Sequence, residues 1–242
     1  MSGRVGNITT DIIANGLVFN MDAANRASTK PNTSTITTFN TVDSSVSGSI
    51  STDATWEDGS PSSFDFDGTD GYIGFSNLGS IWNMVNSAYT INLWYKQQQG
   101  SGTGMPIIHF YGGSGGSADM FWLYNRPQYS RWDIYNGGGS GRKRFVITTT
   151  TGVWYNMTFT WSTSEGLIKA YQNGVFKSSL AETGIPASGN TNFEIGRDNI
   201  PSTNLNANIA SLQLYNISLS ANEVLHNYNA LKGRFGLWNT GQ

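Results

Sequence analysis

Asn208-Ile209-Ala210-Ser211-Leu212-Gln213-Leu214-Tyr215 leads through Asn216 to Leu219 into Ser220-Ala221-Asn222-Glu223-Val224-Leu225, and the reading of this stretch, which closes at Gly233, decides the fold. Its first eight residues alternate. Ala210, Leu212 and Leu214 fall on one face and Ile209, Ser211, Gln213 and Tyr215 on the other, a period of two that predicts a strand. Ser220 and Glu223 have capping-box spacing: the Ser hydroxyl accepts from the Glu223 amide while the Glu side chain reaches back to the Ser220 amide. A helix is expected to start there, with Val224, Leu225, Tyr228 and Leu231 as its apolar stripe and Gly233 as the left-handed residue that ends it. A helix this short needs a sheet to lie on.

The composition suits that sheet. The chain has 242 residues, of which 38% are hydrophobic but only 12% charged, and 29 glycines accompany abundant Ser, Thr and Asn. This is the make-up of many strands joined by polar turns, in one large β domain. With a net charge of −2 and a pI near 5.6 the chain lacks the electrostatic footprint of a polyanion binder, so nucleic acid is not an expected partner. The basic run Arg142-Lys143-Arg144 follows Gly137-Gly138-Gly139-Ser140-Gly141 and reads as a solvated loop. Absence of cysteine removes disulfides and thiolate metal sites from consideration. No basic-then-apolar leader opens the chain and no apolar run reaches bilayer length, so folding in the cytoplasm and no membrane partner are expected.

The order of the decisive stretch, a strand ending in Tyr215-Asn216, a turn at Leu219-Ser220 and a short helix, resembles the closing segment of the laminin-G-like, concanavalin-A-like lectin/glucanase family. Other elements follow in that family's order. Phe64-Asp65-Phe66-Asp67-Gly68-Thr69-Asp70-Gly71-Tyr72-Ile73 is similar to its "FDGxDDYI" element and reads as two strands around a tight glycine turn, with Phe64 and Phe66 inward. Tyr89 to Lys96 is similar to "FTISxWxK", with Tyr89, Ile91, Leu93 and Tyr95 on one side. Pro106 to Tyr111 is a predicted strand; Met120 to Tyr124 and Arg131 to Tyr135 form a predicted pair, and Arg144 to Thr149 adds a strand. Val153 to Trp161 turns Tyr155, Met157, Phe159 and Trp161 to one face, Ile168 to Phe176 is a hairpin about Asn173-Gly174, and Phe193 to Arg197 matches "LxIGxx". A single helical turn is expected at Ser80 to Asn86.

The family resemblance implies an all-β, concanavalin A-like jelly-roll sandwich of two antiparallel sheets with one short C-terminal helix. Residues 16–233 form the domain, residues 1–15 an N-terminal arm and residues 234–242 a C-terminal tail. A second resemblance is narrower. Gly16-Leu17-Val18-Phe19-Asn20-Met21-Asp22-Ala23-Ala24-Asn25 at the opening and Ala230-Leu231-Lys232-Gly233-Arg234-Phe235 at the close are similar to lectin-like structural proteins of tailed bacteriophages. That likeness implies a non-enzymatic virion protein, a capsid decoration or a tail or fibre component. It would be present in many copies or as a homo-oligomer among other virion proteins, and assembled in the host cytoplasm. In this reading the arm at Met1 to Ile13 and the tail are docking segments, and removing the arm leaves the stability of the sandwich nearly unchanged.

Three chemistries are weighed. Glycosidases of this fold carry alternating acids, Glu-x-Asp-x-Glu, on one strand; that motif is missing, and Asp65 and Asp67 read as turn and surface residues. Calcium in this family sits between the "DGxDD" turn and an acidic closing strand. Asp67 and Asp70 match the first element, but Gly71, Ala210 and Ser211 replace the remaining acids, so no cofactor is expected, with Asp67 and Asp70 as the candidates should calcium bind. Sugar binding asks for aromatic rings to cover a pyranose and polar groups to bond its hydroxyls. Trp122, Tyr124, Asn125, Tyr129, Trp132, Asp133 and Tyr135, with Asn136, cluster between two Gly-rich loops and are the candidate carbohydrate-binding residues, for host surface glycans. In a chain with 13% aromatic residues, the reading of first resort for the same aromatics is that they fill the sandwich core and cover the curved sheet.

Overall fold

The structure, a computed structural model, describes residues 11–30, 37–76, 87–98, 104–111, 121–136, 141–184, 192–198 and 204–237. The helical turn expected at Ser80 to Asn86, and the Gly/Ser loops around residues 100–103, 112–117 and 137–140, lie outside these residues.

In chain order the strands are β1 (Leu17–Asp22), β2 (Thr29–Lys30), β3 (Thr37–Phe39), β4 (Ser47–Ile50), β5 (Ala54–Glu57) and β6 (Ser63–Asp67). They continue with β7 (Ile73–Ser76), β8 (Ala88–Gln97), β9 (Met105–Tyr111), β10 (Phe121–Arg126), β11 (Arg131–Tyr135) and β12 (Arg142–Val146). The last are β13 (Trp154–Ser162), β14 (Leu167–Gln172), β15 (Val175–Ala181), β16 (Asn192–Ile195) and β17 (Asn206–Tyr215), followed by helix α1 (Ala221–Leu231). Two sheets result. The first runs β15-β14-β13-β8-β17-β6-β5 with β1 also on β17, and the second runs β12-β11-β10-β9-β16-β7-β4-β3-β2. This is an all-β sandwich of two antiparallel sheets with one short C-terminal helix.

Among the described residues β17 pairs with three strands. β8 pairs along one edge, while β6 takes residues 206–209 and β1 takes residues 211–215 on the other. A bulge between Ile209 and Ser211 breaks its simple alternation. Ala207 and Ile209 face the core before the bulge and Leu212 and Leu214 after it, whereas Ala210, expected beside Leu212, turns outward against Trp94 and Phe235. The two strands expected in residues 64–73 around a glycine turn are present. β6 and β7 flank the Gly68 turn but do not pair, because the turn carries the chain from the first sheet to the second. The basic run Arg142-Lys143-Arg144 opens β12, paired with β11, rather than forming a loop.

Core side chains come from the inward positions of both sheets. Phe19 of β1 meets Phe75 edge-on at 5.1 Å and Phe193 at 5.7 Å, and Tyr95 of β8 meets Trp132 of β11 at 5.3 Å. The fully buried aromatics supply roughly 1.5–3 kcal/mol each by removal of apolar surface from water. Outward positions of the first sheet are buried as well. Asn156 and Thr158 of β13, Asn92 of β8 and Gln213 of β17 form a hydrogen-bonded ladder that ends on Asn20 of β1.

α1 lies over that outer face. Its capping box is formed as expected, with Ser220 Oγ accepting from Glu223 and the Glu223 carboxylate accepting from the Ser220 amide. The buried stripe is Val224, Asn227 and Ala230, with Tyr228 and Leu231 against Trp94, while Leu225, placed in the apolar stripe by its spacing, is exposed. Gly233 does not end the helix. A 3-10 turn at Lys232–Phe235 follows, and Gly236, at φ +69°, is the left-handed residue. Phe235 stacks flat on Trp94 at 3.7 Å, and Arg234 donates two hydrogen bonds to Asp22, at 2.7 and 2.8 Å. Residues assigned to the tail thus take part in packing. So does Ile13 of the arm, whose amide donates to Asn227 Oδ1 at 2.8 Å and whose side chain packs against the cluster of Tyr171, Tyr215, Leu219 and Val224.

Candidate functional site

The second sheet presents its outer face away from α1, and alternation there sorts the candidate residues. In β10, Phe121 and Leu123 point into the core, so Trp122, Tyr124 and Arg126 point out. In β11, Trp132 and Ile134 point in, so Arg131, Asp133 and Tyr135 point out. Cross-strand register then pairs Trp122 with Tyr135 and Tyr124 with Asp133. The Trp122 and Tyr135 rings stack at 5.4 Å with 25° between planes, and Tyr124 meets Trp122 edge-on at 4.7 Å.

Four of the candidates therefore share the outer face of the sheet: Trp122 and Tyr135, partly exposed, and Tyr124 and Asp133, buried between their neighbours. Three do not. Trp132 is fully buried, and a ring with no exposed face cannot cover a sugar. Asn125 accepts the Tyr95 hydroxyl inside the core, as Asn136 accepts that of Tyr89. Tyr129 sits in the 3-10 turn between the two strands, half-exposed, with the Arg131 guanidinium 4.7 Å from its ring centre.

Arginines surround the aromatic rings. The Asp133 carboxylate is buried beneath Arg126 at 2.6 Å, Arg131 at 3.2 Å and Arg142 at 3.7 Å, and Arg144 is its direct partner across β11 and β12. Arg126 also lies 5.2 Å from the Tyr124 ring centre and Arg142 lies 5.0 Å from that of Trp122. Burial, followed by the like charges of Arg126, Arg144 and Arg131, pushes the Arg142 guanidinium below its ordinary pKa, against the opposing pull of Asp133.

The same face continues across β9, β16 and β7 with residues that sequence reasoning missed. His109 is the cross-strand neighbour of Trp122 and stacks on Tyr111 at 5.0 Å. The Tyr111 hydroxyl donates to Glu194 at 3.1 Å, and Glu194 also accepts from Arg197 at 2.6 and 3.1 Å. The Arg197 guanidinium lies over the Tyr72 ring at 3.3 Å. Burial holds His109 below the usual histidine range although Asp198 and Glu194 pull the other way, and burial raises Tyr111 with Glu194 adding to it. The signal for His109 and Tyr111 lay in their alternation with Ile108 and Phe110. What brings Glu194 to them is the pairing of β16 with β9, which local sequence does not encode.

At the calcium candidates, the Asp67 carboxylate folds back on its own turn, accepting the Thr69 amide and hydroxyl, and these bonds lower its pKa. Asp70 is exposed, and Ser51 bonds its carbonyl oxygen. Among the described residues no group of three or more His, Cys, Asp or Glu side chains could hold a metal ion, and no helix is long and apolar enough to cross a membrane. An open groove of about 520 Å³ lies at the opposite side of the sandwich, between the start of α1 and strands β13 and β14, lined by Ser162, Glu165, Lys169, Tyr171, Ser220 and Glu223.

Comparison with solved structures returns the same architecture. The chain is similar to Trypanosoma rangeli sialidase in complex with sialic acid, at 15% identity and a TM-score of 0.67 over 90% of this chain and 33% of that one. It is similar also to the botulinum neurotoxin serotype D binding domain, at 14% identity and a TM-score of 0.66 over 88% of this chain and 50% of that one. Botulinum neurotoxin type C, whose cell entry depends on interaction with two ganglioside molecules, gives 13% identity and a TM-score of 0.65 over 89% and 51%. The chain thus spans between a third and a half of the length of these proteins, and at such identities the likeness is one of fold. A search of curated protein sequences finds no match. A family model matches residues 67–225, more than half of the 242 residues, and by that match the chain belongs to the concanavalin A-like lectin/glucanases superfamily.

Proposed function

We propose that this protein is a non-enzymatic carbohydrate-binding module whose site is the outer face of β10, β11 and β12, and that it serves as a surface component of a bacteriophage particle that contacts host glycans. The observation that carries the binding function is the segregation of aromatics. Trp132, Tyr95 and Tyr89 are consumed by the core, yet Trp122 and Tyr135 are partly exposed on the outer face, beside the buried Tyr124 and Asp133 and with arginine donors around them. Stacked rings beside charged hydrogen-bonding groups are what a pyranose requires. Catalysis is disfavoured because Asp133 and Glu194 on this face are each engaged by arginine, whereas glycoside hydrolysis uses a proton-donating acid opposite a second carboxylate.

A virion role draws support from the two terminal motifs. Asp22 of the opening motif and Arg234 of the closing one form a bidentate pair, so the features that resemble phage proteins make one structural unit. That unit lies with α1 on the first sheet, on the far side of the sandwich from the aromatic surface. Contacts with other virion proteins made there leave the binding face pointing outward.

Glycan-array binding tests the reading. The wild-type protein should bind a restricted set of glycans and Trp122→Ala should lose them while keeping its fold by circular dichroism. Absence of binding, or binding indifferent to Trp122, refutes it. Peptide mass spectrometry of purified phage particles tests the virion role, which fails if the chain is not in them.

A further inference from the structure

Four of the chain's eight arginines, Arg126, Arg131, Arg142 and Arg144, stand on the outer face of three adjacent strands around a single carboxylate. Four positive charges face one negative charge, in a protein whose net charge is −2. Asp133 satisfies them unequally. Arg126 donates to it at 2.6 Å, but Arg142 stays 3.7 Å away, beyond hydrogen-bond length, with its side chain 37% exposed. Arg142 is held instead over the Trp122 ring. A guanidinium fixed by a ring presents its planar fork of N–H donors in a defined direction, the geometry that a carboxylate accepts two at a time.

From this arrangement we infer that the ligand is an acidic sugar: a pyranose whose apolar face meets the Trp122 and Tyr135 rings and whose carboxylate is bound by Arg142. The inference rests on the carbohydrate reading above and adds the ligand's charge to it. Burial, with like-charge repulsion from Arg126, Arg144 and Arg131, holds Arg142 below its ordinary pKa, and an entering anion offsets the repulsion. A single carboxylate suits this cluster better than a polynucleotide. The arginines lie on three short neighbouring strands rather than along a track, and Glu194 and Asp198 lie beyond them on the same sheet or next to it.

The test is calorimetric titration of the full chain with sialyllactose, a galacturonate oligomer, lactose and a single-stranded oligonucleotide, on wild type, Arg142→Ala, Arg142→Lys and Trp122→Ala. Binding of one acidic sugar should exceed binding of lactose by about tenfold or more, as one charge-assisted bidentate contact implies, and should weaken as salt is raised. Arg142→Ala should abolish that preference, and Arg142→Lys should restore it only in part, since the fork is lost. Equal binding of lactose and both acidic sugars, lost in Trp122→Ala, overturns the acidic ligand while the carbohydrate site stands. Binding of none of the sugars overturns both, and oligonucleotide binding that depends on Arg142 overturns the inference in favour of a polyanion.

Discussion

Asn92 sits at the centre of the polar ladder under α1, and its removal tests how the first sheet holds together. It is fully buried, as are Asn156, Thr158 and Gln213 to within about 1% of exposure. Its Nδ2 donates to Gln213 Oε1 at 2.7 Å, and its Oδ1 accepts from Asn156 at 2.9 Å and from Thr158 at 2.6 Å. Asn92→Ala breaks all three bonds, at roughly 1 kcal/mol each. The partners are not equally harmed. Asn156 retains the Leu93 carbonyl at 3.3 Å and Thr158 retains Asn156 Oδ1 at 3.4 Å, but Gln213 Oε1 is left buried without a donor. A loss of about 3 kcal/mol follows, the largest share falling on Gln213. Urea unfolding followed by tryptophan fluorescence measures it. Because the orphaned group belongs to Gln213, Asn92→Ala with Gln213→Ala should cost about 1–2 kcal/mol less than the sum of the single changes. A loss below about 1 kcal/mol, or strict additivity, would refute the view that this ladder is a coupled, satisfied network.

Three other outcomes are expected. His109 has its pKa lowered by burial, so as pH falls the unfolded chain takes up the proton first; its contribution is fully present above about pH 6.5 and declines below it. Melting temperatures across that range should show the decline, with a shallower one in His109→Phe; equal slopes would contradict the assignment. Gly174 has φ +76° and a Cβ there would meet Leu225 at 3.0 Å and Tyr228 at 3.1 Å, whereas Gly152, at φ +78°, has open space around it. Gly152→Ala should cost about 1 kcal/mol for the left-handed backbone alone and Gly174→Ala measurably more, as chemical denaturation would show. Arg234→Ala, which unties the pair with Asp22, should destabilise by about 1–2 kcal/mol after allowance for partial exposure, and a change within the error of a urea titration would count against a structural role for the closing motif.

The sheets themselves were legible because alternation survives wherever one face is core: Tyr89, Ile91, Leu93 and Tyr95 in β8, and Met157, Phe159 and Trp161 in β13, all face as expected. Alternation also assumes an unbroken strand, and the bulge at Ile209 to Ser211 inverted the expected facing of Ala210. The helix start was readable from Ser220 and Glu223, which act through local bonds, but its stop was set by Phe235 reaching Trp94, a contact far apart in sequence. Half of the site was readable for the same reason. Trp122 and Trp132 have equal claims by residue type, and separating them requires knowing which face of the pair meets the core. Glu194 and Arg197 are three residues apart, but Tyr111 and Tyr72 reach them only through the pairing of β9, β16 and β7, which no local window shows.

Indole nitrogen-15 NMR gives the most direct test of a sugar site on the second sheet, because Trp122 lies on its outer face while Trp94, Trp132 and Trp161 are buried. Titration with the glycan selected by array binding should move the Trp122 resonance while the buried Trp94, Trp132 and Trp161 stay fixed. Saturable binding with Trp122 unmoved, or with backbone shifts confined to Glu165, Tyr171 and Glu223 in the groove beside α1, would contradict the account.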